Sequence, residues 1–285
     1  MSESILYLVA TPIGNLGDLS PRAREVLSSV DFIAAEDTRV TQKLLTACSL
    51  PRKPLISYYE HNRRARGEEV LAKLLAGESC ALVTDAGTPA VSDPGEDLVA
   101  LCAEHNVPIV PIPGCCAAVC ALTASGLPTG RWCFEGFLSV NKKARRAHLD
   151  ALQDEKRTMI FYEAPHKLCA TLRDLAEAFG GERRISLSRE LTKLHEETLR
   201  MTLAEAIAYF DQTPPRGEFV LIVEGAPDEP ETAQDEQERL AAAAAEVRRR
   251  MAEGQTQKDA VKAVSAAAGI KKNALYRYVL EDSAE

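Results

Sequence analysis

Long apolar runs and a leader-like N-terminus are both missing from this 285-residue sequence. No apolar stretch approaches the roughly 20 residues that a membrane-spanning helix needs, so we expect no membrane partner. The N-terminal apolar run, Ile5 to Ala10, has no basic segment before it, and a secretory signal is therefore not predicted. The length leaves room for about two domains, since single cores usually stop growing near roughly 250 residues.

Disulfide and metal signatures are also lacking. The eight cysteines include no C-x-x-C pair and the five histidines are scattered, so neither a disulfide framework nor a zinc site is predicted. Cys115, Cys116 and Cys120 form a cluster. Five others lie among apolar residues and are expected to be small buried side chains, namely Cys48, Cys80, Cys102, Cys133 and Cys169. This cysteine usage predicts a protein of the reducing cytoplasm.

Three common motifs of nucleotide-binding proteins and hydrolases are absent. The sequence has no G-x-G-x-x-G after its first strand, no G-x-x-x-x-G-K-[ST] and no G-x-S-x-G, which leaves dinucleotide, P-loop and serine-hydrolase sites unsupported. The net charge of -8 argues against a uniformly basic nucleic-acid binder, but averages hide local patches. Basic segments occur at 61–66, 141–146 and 271–277. Each segment alone is typical of a solvated surface, whereas the three together suggest the hypothesis that the substrate is a polyanion.

The most informative segment that is present runs from Cys80 to Gly95. Its first four residues predict a buried strand, and a concentration of Asp, Gly, Pro, Ser and Thr then prevents regular structure until a helical pattern resumes at Asp97. A plain tight turn needs only about two special residues, and glycines let a ligand approach the backbone closely. We expect a ligand-binding loop here; the alternative is a long ordered loop without a ligand.

Short apolar strands alternate with loops and helices over the first 226 residues. Strands are predicted at 5–10, 32–35, 80–83, 109–112, 158–162, 185–188 and 218–223, and helices from Ser20 and over 166–179. This alternation predicts an α/β fold with mostly parallel or mixed sheets, in which ligands lie beyond the carboxyl ends of the strands. An irregular stretch divides the series, so we expect an N-terminal α/β domain over 1–118 and a C-terminal α/β domain over 119–226, flanking a cleft.

Beyond these domains the sequence predicts a linker and a small helical tail. Residues 227–235 are acidic and contain proline, as linkers often do. Residues 236–285 predict three helices: one over 236–253, one that starts at the capping box Thr256 to Asp259 and ends at Gly269, and one over 271–280. A glycine-containing turn before a basic last helix suits a helix-turn-helix, and a three-helix dimerisation appendage would look similar.

Several loop motifs resemble one known family, and the match covers nearly the whole chain. The motifs are LYLVATPIGN at 6–15, AEDTR at 35–39, DAGTP at 85–89, SDPG at 92–95, PIPG at 111–114, FEGFL at 134–138, FYE at 161–163, RELTK at 189–193, GE at 217–218 and KKNALY at 271–276. The chain resembles the tetrapyrrole-methylase superfamily. Within it, the chain is similar to the bacterial methyltransferases that modify a cytidine 2'-hydroxyl in the decoding centre of small-subunit (16S) ribosomal RNA.

This resemblance implies a homodimer that binds S-adenosylmethionine in a folded conformation between the two α/β domains. The substrate that it implies is small-subunit ribosomal RNA or the assembled small subunit. The residues that it places at the cofactor are Pro12, Gly14, Asp85, Ala86, Gly87, Thr88, Pro89, Val91, Ser92, Gly114 and Cys115 from the first domain, and Tyr162, Glu163, Leu191 and Glu218 from the second. Gly114 and Cys115 are expected to bring a helix N-terminus, with its favourable dipole, to the cofactor's carboxylate.

Methyl transfer to a ribose hydroxyl needs an aligned nucleophile and benefits from a base or a charge-stabilising group. The candidate bases are Asp37 and Glu60, and the residues expected to orient phosphate or stabilise charge are Arg39, His61 and Lys193. Each has a plainer alternative. Asp37 is also typical of a helix N-cap, Arg39 could pair with a neighbouring carboxylate, and Glu60 and His61 could be surface residues.

The basic segments acquire a use in this interpretation. The residues expected at RNA phosphates or bases are Arg63, Arg64, Arg66, Lys142, Lys143, Arg145, Arg146, Lys271, Lys272, Tyr276 and Arg277. Two other functions remain open at this stage. One is methylation of a tetrapyrrole, a cobalamin precursor, which the same core would support, and the other is a non-enzymatic nucleic-acid-binding regulator built around the tail.

Overall fold

We describe the protein from a computed structural model that covers residues 4–227, 233–268 and 270–281. The chain divides into two compact units, Met1–Ala226 and Pro227–Glu285, and each is described by itself. The larger unit holds two five-stranded sheets, whereas the smaller unit contains helices alone among its described residues.

The first sheet is entirely parallel. Its strands are β1 (Leu6–Val9), β2 (Phe32–Ala35), β3 (Leu55–Ser57), β4 (Cys80–Val83) and β5 (Ile109–Ile112). They lie in the order β3-β2-β4-β1-β5, so the carboxyl ends of all five meet at one edge. The helices between them are α1 (Pro21–Ser29), α2 (Thr38–Ala47), α3 (Arg63–Leu75) and α4 (Glu96–Glu104), with a 3-10 turn at Leu16–Asp18.

Alternate residues of this sheet pack into two separate cores. Phe32 and Leu82 face the helices α3 and α4, while Ile33 and Val83 face α1 and α2. A strand buried on both faces reads as a continuous apolar run, which is why the sequence predicts these strands well. The sheet is covered on both faces, as predicted, and Pro21 lies in the first turn of α1 behind the N-cap Ser20.

The second sheet is mixed. Its strands are β6 (Trp132–Phe137), β7 (Thr158–Glu163), β8 (Arg184–Arg189), β9 (Glu197–Thr202) and β10 (Phe219–Val223). They lie in the order β6-β7-β10-β8-β9, with β6 parallel to β7 and the other pairs antiparallel. The accompanying helices are α6 (Lys142–Ala151), α7 (Pro165–Phe179) and α8 (Leu203–Gln212), and α7 stops at Gly180 as predicted.

Helix α5 (Ala117–Ala124) links the two sheets. It follows the last strand of the first sheet, yet its buried residues Ala118, Ala121 and Leu122 pack on Ile160 and Ile222 of the second sheet. The expected boundary between residues 118 and 119 thus falls inside this helix. That boundary remains a prediction.

The smaller unit contains α9 (Ala233–Ala252), α10 (Gln257–Ala268) and α11 (Lys272–Glu281), which share a core of alanine, valine and leucine side chains. Of the predicted capping box at the start of α10, the bond from the Asp259 N–H to the Thr256 hydroxyl oxygen is present, and the Thr256 hydroxyl donates to the Asp259 carboxylate. The predicted end of the linker is wrong, because residues 233–235 already lie in α9, where Ala and Gln favour a helix. The linker residues 228–232 and Gly269 lie outside the described residues.

Two further expectations concern the whole chain. No helix in the described ranges is long and apolar enough to cross a membrane. Cys48, Cys80 and Cys102 are buried as predicted, whereas Cys133 and Cys169 are only partly buried, so the predicted burial is incomplete for these two. Both lie at the border of the second core, where a side chain touches the apolar cluster on one side and solvent on the other.

Candidate functional site

A cleft of about 350 Å³ lies in the larger unit, at the carboxyl edge of the first sheet and beside the second sheet. Both halves of the unit contribute to it. The residues that line it are Ile13, Glu36, Thr84, Asp85, Ala86, Gly87, Thr88, Val91, Ser92, Asp93, Cys116, Ala117, Phe137, Tyr162, Glu163, Ser188, Glu190, Leu191, Lys193, Glu218, Phe219 and Val220. Its position beyond the ends of parallel strands is where α/β proteins bind ligands.

The loop after β4 is held to the loop after β1 by a short antiparallel bridge. Thr11 and Gly87 exchange backbone hydrogen bonds of 2.9 and 3.0 Å. The Thr11 hydroxyl donates to the Thr84 carbonyl oxygen, and the Thr88 hydroxyl donates to the Cys115 carbonyl oxygen at 2.8 Å. Gly87 has φ = +91°, a backbone conformation that favours glycine. The loop rich in Gly, Pro and Asp is therefore an ordered side of the cleft.

The two halves of the unit meet at Gly14. A Cβ atom added there would lie 2.9 Å from the Leu191 carbonyl oxygen and 2.5 Å from Cγ of Lys193, so the loop 191–193 rests directly on the glycine. Thr192 of this loop and Glu190 just before it are non-glycine residues in the left-handed region, with φ of +67° and +51°. Such conformations persist only where the surroundings enforce them. The Lys193 ammonium pairs with the Glu190 carboxylate at 2.9 Å.

Acidic side chains dominate one end of the cleft. The Thr84 hydroxyl lies 2.8 Å from both Glu36 Oε2 and Asp93 Oδ2 and can donate its proton to only one of them. Burial, together with the negative charge of Glu36 and neighbouring carboxylates, raises the pKa values of Asp85 and Asp93. The carboxylates that line the cleft are Glu36, Asp85, Asp93, Glu163, Glu190 and Glu218, and they face a single lysine, Lys193, among the described lining residues. The lining therefore favours a cationic ligand over a polyphosphate.

Aromatic side chains of the second sheet form another side of the cleft. Tyr162 contacts Phe134 and Phe137 edge-on, at centroid distances of 5.1 and 5.5 Å. Its hydroxyl oxygen accepts a hydrogen bond from the Ala118 N–H at the start of α5, and burial raises the pKa of Tyr162 to about 12. The tyrosine therefore stays neutral and ties α5 to the sheet. Glu163 is buried and accepts hydrogen bonds from the Thr171 hydroxyl and the Ala164 N–H.

The structure brings most of the residues expected at the cofactor into this cleft. Those that line it are Asp85, Ala86, Gly87, Thr88, Val91, Ser92, Tyr162, Glu163, Leu191 and Glu218. Those that do not are Pro12, Gly14, Pro89, Gly114 and Cys115. The two glycines among them allow close packing instead. Gly14 seats the loop 191–193, and a Cβ atom on Gly114 would lie 2.8 Å from Cβ of Ala10.

Sequence reasoning missed several lining residues. They are Ile13, Glu36, Thr84, Asp93, Cys116, Ala117, Phe137, Ser188, Glu190, Phe219 and Val220. Most adjoin a residue that was predicted, and Glu36, Thr84 and Ser188 come at the ends of strands, a position that could have indicated them. Cys116 and Ala117, rather than Gly114 and Cys115, bring the start of α5 to the cleft.

Asp37 lies beside the cleft and caps α2. Its carboxylate accepts a hydrogen bond from the Arg39 N–H at 2.8 Å and pairs with the Arg39 guanidinium. This pairing holds the pKa of Asp37 well below its usual range. In the structure Asp37 therefore acts as a helix cap and Arg39 as its ion-pair partner, the two alternatives to a catalytic role that the sequence left open. The Asp37 N–H also donates to Asp85 Oδ1 at 3.1 Å, which ties the cap to the cleft.

The other candidate catalytic residues separate into two places. Lys193 lines the cleft. Glu60 and His61 lie instead along a shallow, exposed depression with Arg63 and Arg64. Glu60 pairs with Arg63 at 3.3 Å. The structure therefore does not bring Glu60 and His61 to the same cavity as Lys193.

The basic segments differ in how far their cations are already paired. The Arg145 side chain is only 13% exposed and binds Asp174 and Thr171, so its guanidinium already has partners within the protein. Arg146 pairs with Glu177 and Asp150. Arg63 pairs with Glu60 and Asp97, and Arg66 with Glu69. Within the three basic segments, the exposed cations for which the described residues provide no ion-pair partner are Arg64, Lys142, Lys143, Lys271, Lys272 and Arg277.

The described residues also contain no group of three or more His, Cys, Asp or Glu side chains arranged to hold a metal ion. A cation-favouring cleft that joins two α/β halves is what an enzyme with a positively charged organic cofactor would need. The family described as Tetrapyrrole (Corrin/Porphyrin) Methylases matches residues 5–207. This range includes the first sheet, every strand of the second sheet except β10, and all the residues that line the cleft except Glu218, Phe219 and Val220.

The chain belongs to the tetrapyrrole methylase family. Its relatives in sequence extend beyond the shared core into the helical tail. "Ribosomal RNA small subunit methyltransferase I" of Synechocystis sp. is 50% identical over 281 residues, which cover 99% of both chains. The protein of the same name from Escherichia coli O157:H7 is 45% identical over 285 residues, covering 98% of this chain and 96% of its own.

Solved tetrapyrrole methylase structures share the fold of the larger unit. The uroporphyrin-III C-methyltransferase of Thermus thermophilus, crystallised with S-adenyl homocysteine, matches with a TM-score of 0.51 and 18% sequence identity, covering 77% of this chain and 96% of its own. The predicted fold class, α/β with a separate helical tail, is confirmed. At this level of identity the similarity concerns the fold alone.

Proposed function

We propose that this tetrapyrrole methylase transfers a methyl group from S-adenosylmethionine to small-subunit (16S) ribosomal RNA, at the 2'-hydroxyl of a cytidine in the decoding centre. The observation that carries the proposal is the similarity to ribosomal RNA small subunit methyltransferases I, which runs through the tail as well as the core. The finer points, namely the cytidine, the ribose oxygen, a homodimer and a cytoplasmic location, follow from the resemblance of the motifs.

The side chains of the cleft fit a sulfonium cofactor. Six carboxylates and one lysine are among the lining residues, and Gly87 gives the loop its left-handed turn at φ = +91° beside them. When bound, S-adenosylmethionine supplies an electrophilic methyl group on a positively charged sulfur. We propose that the acidic lining holds the cationic groups of the cofactor, that the loop 85–92 contacts it largely through backbone groups, and that Tyr162, Glu163, Leu191 and Glu218 enclose its far end.

Residues that do not line the cleft contribute indirectly in this proposal. Pro12, Gly14, Pro89, Gly114 and Cys115 shape the loops against one another. Gly14 is the clearest case, because its missing side chain lets Leu191 and Lys193 reach the cleft.

Lys193 is the proposed catalytic residue whose side chain already lies in the cleft, where its ammonium is suited to stabilise developing negative charge or a phosphate. Asp37 has a low pKa while Arg39 holds it, and a carboxylate with a low pKa is a weak base. Arg39 is 84% exposed, so a phosphate of the substrate can compete for its guanidinium. We propose that this exchange frees Asp37 to accept the proton. Glu60 and His61 then serve the RNA rather than the reacting atoms.

The exposed cations support an RNA substrate. Arg64, Lys142 and Lys143 in the larger unit, and Lys271, Lys272 and Arg277 in the tail, are available for phosphate contacts. Tyr276 is 40% exposed on α11, one turn after Lys272, and offers a ring for base stacking. In this proposal the acidic cleft takes the cofactor, while cations outside the cleft hold the phosphates.

Methylation of a tetrapyrrole is the alternative, since solved structures with this fold include such enzymes. Two observations weigh against it. The cleft is acidic, which disfavours the carboxylate side chains of tetrapyrrole precursors, and the exposed cations Lys271, Lys272 and Arg277 have no role in that reaction. A non-enzymatic nucleic-acid-binding regulator is also disfavoured, because it would not need a cleft that fits a sulfonium cofactor.

The deciding experiment is mass mapping of ribosomal RNA from cells with and without this protein. The expected result is one cytidine 2'-O-methyl group that disappears with the gene and returns when purified protein and S-adenosylmethionine are added to the unmodified small subunits. Parallel reactions on naked RNA and on a tetrapyrrole precursor identify the substrate. Methyl transfer to the tetrapyrrole alone, or an unchanged RNA map, would refute the proposal.

A further inference from the structure

Phe137 is an exposed aromatic residue at the mouth of the cleft. It is the last residue of β6, it lines the cleft, and 59% of its surface is accessible to solvent. Exposing so much of a phenylalanine ring forgoes hydrophobic burial. Its edge-on contact with Tyr162, at 5.5 Å and 65°, holds the ring against the cleft while more than half of the residue stays exposed.

A β-bulge directs Phe137 onto this face of the sheet. The pairing between β6 and β7 shifts register between Phe134 and Gly136, so Phe134 lies opposite Ile160 while Phe137 lies opposite Tyr162. Residues three apart in a regular strand point to opposite faces, but here both phenylalanines lie on the face that carries Tyr162. Gly136 makes the bulge possible with φ = +64°. Bulges commonly re-aim a side chain near a functional site.

The charges around the ring limit what can stack on it. The interior of the cleft is acidic and repels phosphates, whereas Lys142 and Lys143, at the start of α6 and five and six residues after Phe137, are exposed cations. A nucleotide that enters must therefore keep its phosphates outside and insert its base and ribose. Proteins read unpaired RNA in this manner, with the base splayed out onto an aromatic ring.

We infer that Phe137 is a positioning residue that stacks on the base of the nucleotide to be methylated, which is taken from a single-stranded segment of RNA and turned into the cleft. This inference rests on the proposed function and names how the same site holds its substrate. Stacking fixes the plane of the base and with it the ribose, so that the hydroxyl is presented to the methyl donor. Loss of one such contact is expected to lower kcat/KM for RNA about 5- to 150-fold.

The test uses the full chain and reconstituted small subunits, with Phe137→Ala, the aromatic replacement Phe137→Trp and the control Trp132→Ala. Trp132 is an exposed aromatic residue at the other end of β6 and is not among the residues that line the cleft. Each protein is assayed on subunits whose RNA carries either the normal target nucleotide or a ligated abasic nucleotide that keeps its 2'-hydroxyl. Calorimetry with S-adenosylmethionine reports cofactor binding and folding.

We expect Phe137→Ala to lose activity on normal RNA at unchanged cofactor affinity, and Phe137→Trp and Trp132→Ala to retain it. The abasic RNA should reduce the activity of the native protein by a similar factor but reduce Phe137→Ala little further, because both changes remove the same contact. Full activity of Phe137→Ala, a parallel loss of cofactor affinity, or additive losses with abasic RNA would overturn the inference while the proposed function stands. Native protein that transfers no methyl group to normal subunits would refute the proposed function and the inference together.

Discussion

Replacing Gly14 with alanine tests whether contact between the two halves of the larger unit shapes the cleft. The backbone at Gly14 is not in the left-handed region, so alanine is acceptable there and any effect comes from its methyl group. That methyl group would lie 2.9 Å from the Leu191 carbonyl oxygen and 2.8 Å from Oγ1 of Thr192. Ordinary van der Waals contact begins at 3.4 Å, so the loop 191–193 must retreat by about half an ångström.

The expected magnitude follows from the cost of overpacking, about 1 to 3 kcal/mol. Expressed in cofactor binding, this range corresponds to a Kd for S-adenosylmethionine that is roughly 5- to 150-fold weaker, because Leu191 and Lys193 both line the cleft. Expressed in stability, each kcal/mol lowers the Tm of a unit of this size by about 2 to 4 °C. We expect a mixture of the two, with a weaker Kd in every case.

Calorimetric titration with S-adenosylmethionine and a thermal melt measure both effects. Gly130→Ala is the matched control, because it also lies outside the left-handed region and a Cβ atom there meets nothing within 4 Å. The double variant Gly14→Ala, Lys193→Ala removes the nearest clashing atom, so its losses should be less than additive. Native values of Kd and Tm in Gly14→Ala would show that the loop does not rest on Gly14, and our account of the cleft would then be wrong.

Three further outcomes are expected. Asp37→Ala should lower the single-turnover rate more than the cofactor affinity, and it should also lower the Tm somewhat because the helix cap is lost. An unchanged single-turnover rate would exclude Asp37 as the base. The variant Glu36→Gln tests the neighbouring carboxylate in the same assay. The raised pKa of Asp93 means that its ionisation destabilises the folded protein at neutral pH, so Asp93→Asn should keep or raise the Tm at pH 7 while weakening S-adenosylmethionine binding about tenfold. In the native protein, cofactor binding should weaken as the pH falls towards the pKa of Asp93, and this weakening should begin above the ordinary aspartate pKa of about 3.9. A Kd that does not change with pH would contradict this prediction. Deleting residues 236–285 should weaken RNA binding and reduce its salt dependence, while the remaining unit binds cofactor as before; full RNA activity of a folded truncation would exclude a role for the tail.

The fold was predictable where burial determines the residue pattern. The strands β2 and β4 are buried on both faces, so their apolar runs are visible in the sequence, and Ser20, Pro21 and Gly180 indicate helix ends by their backbone preferences. The strands β3, β6 and β9 were not predicted. Each lies at the edge of a sheet; β3 has only three residues, and β6 and β9 mix exposed and half-buried residues. The antiparallel pairs of the second sheet depend on pairing between distant segments, which local pattern does not reveal.

The sequence predicted which loops form the candidate site, but not which of their side chains line the cleft. Glycines, prolines and acidic residues indicated the loop 85–92 as a ligand site, and the cleft does lie there. Sequence spacing did not reveal that Glu36 rather than Asp37 lines the cleft, since adjacent residues differ only in direction and Asp37 is committed to capping α2. Nor did spacing reveal Phe137, whose direction depends on a bulge in the pairing with β7.

Helix α5 has a consequence for engineering this family. Because α5 follows the last strand of the first sheet but packs on β7 and β10, one edge of the cleft is carried by the half of the unit that follows it. The hydrogen bond from the Ala118 N–H to Tyr162 and the contacts of Arg200 with the carbonyl oxygens of Ala124 and Ser125 bind the helix to that half at both ends. A chimera that exchanges halves between relatives is therefore best joined ahead of Pro113, so that the helix and its docking surface come from the same parent. Joining at residue 125 would pair a helix from one parent with a foreign sheet and leave the cleft misassembled even where both halves fold.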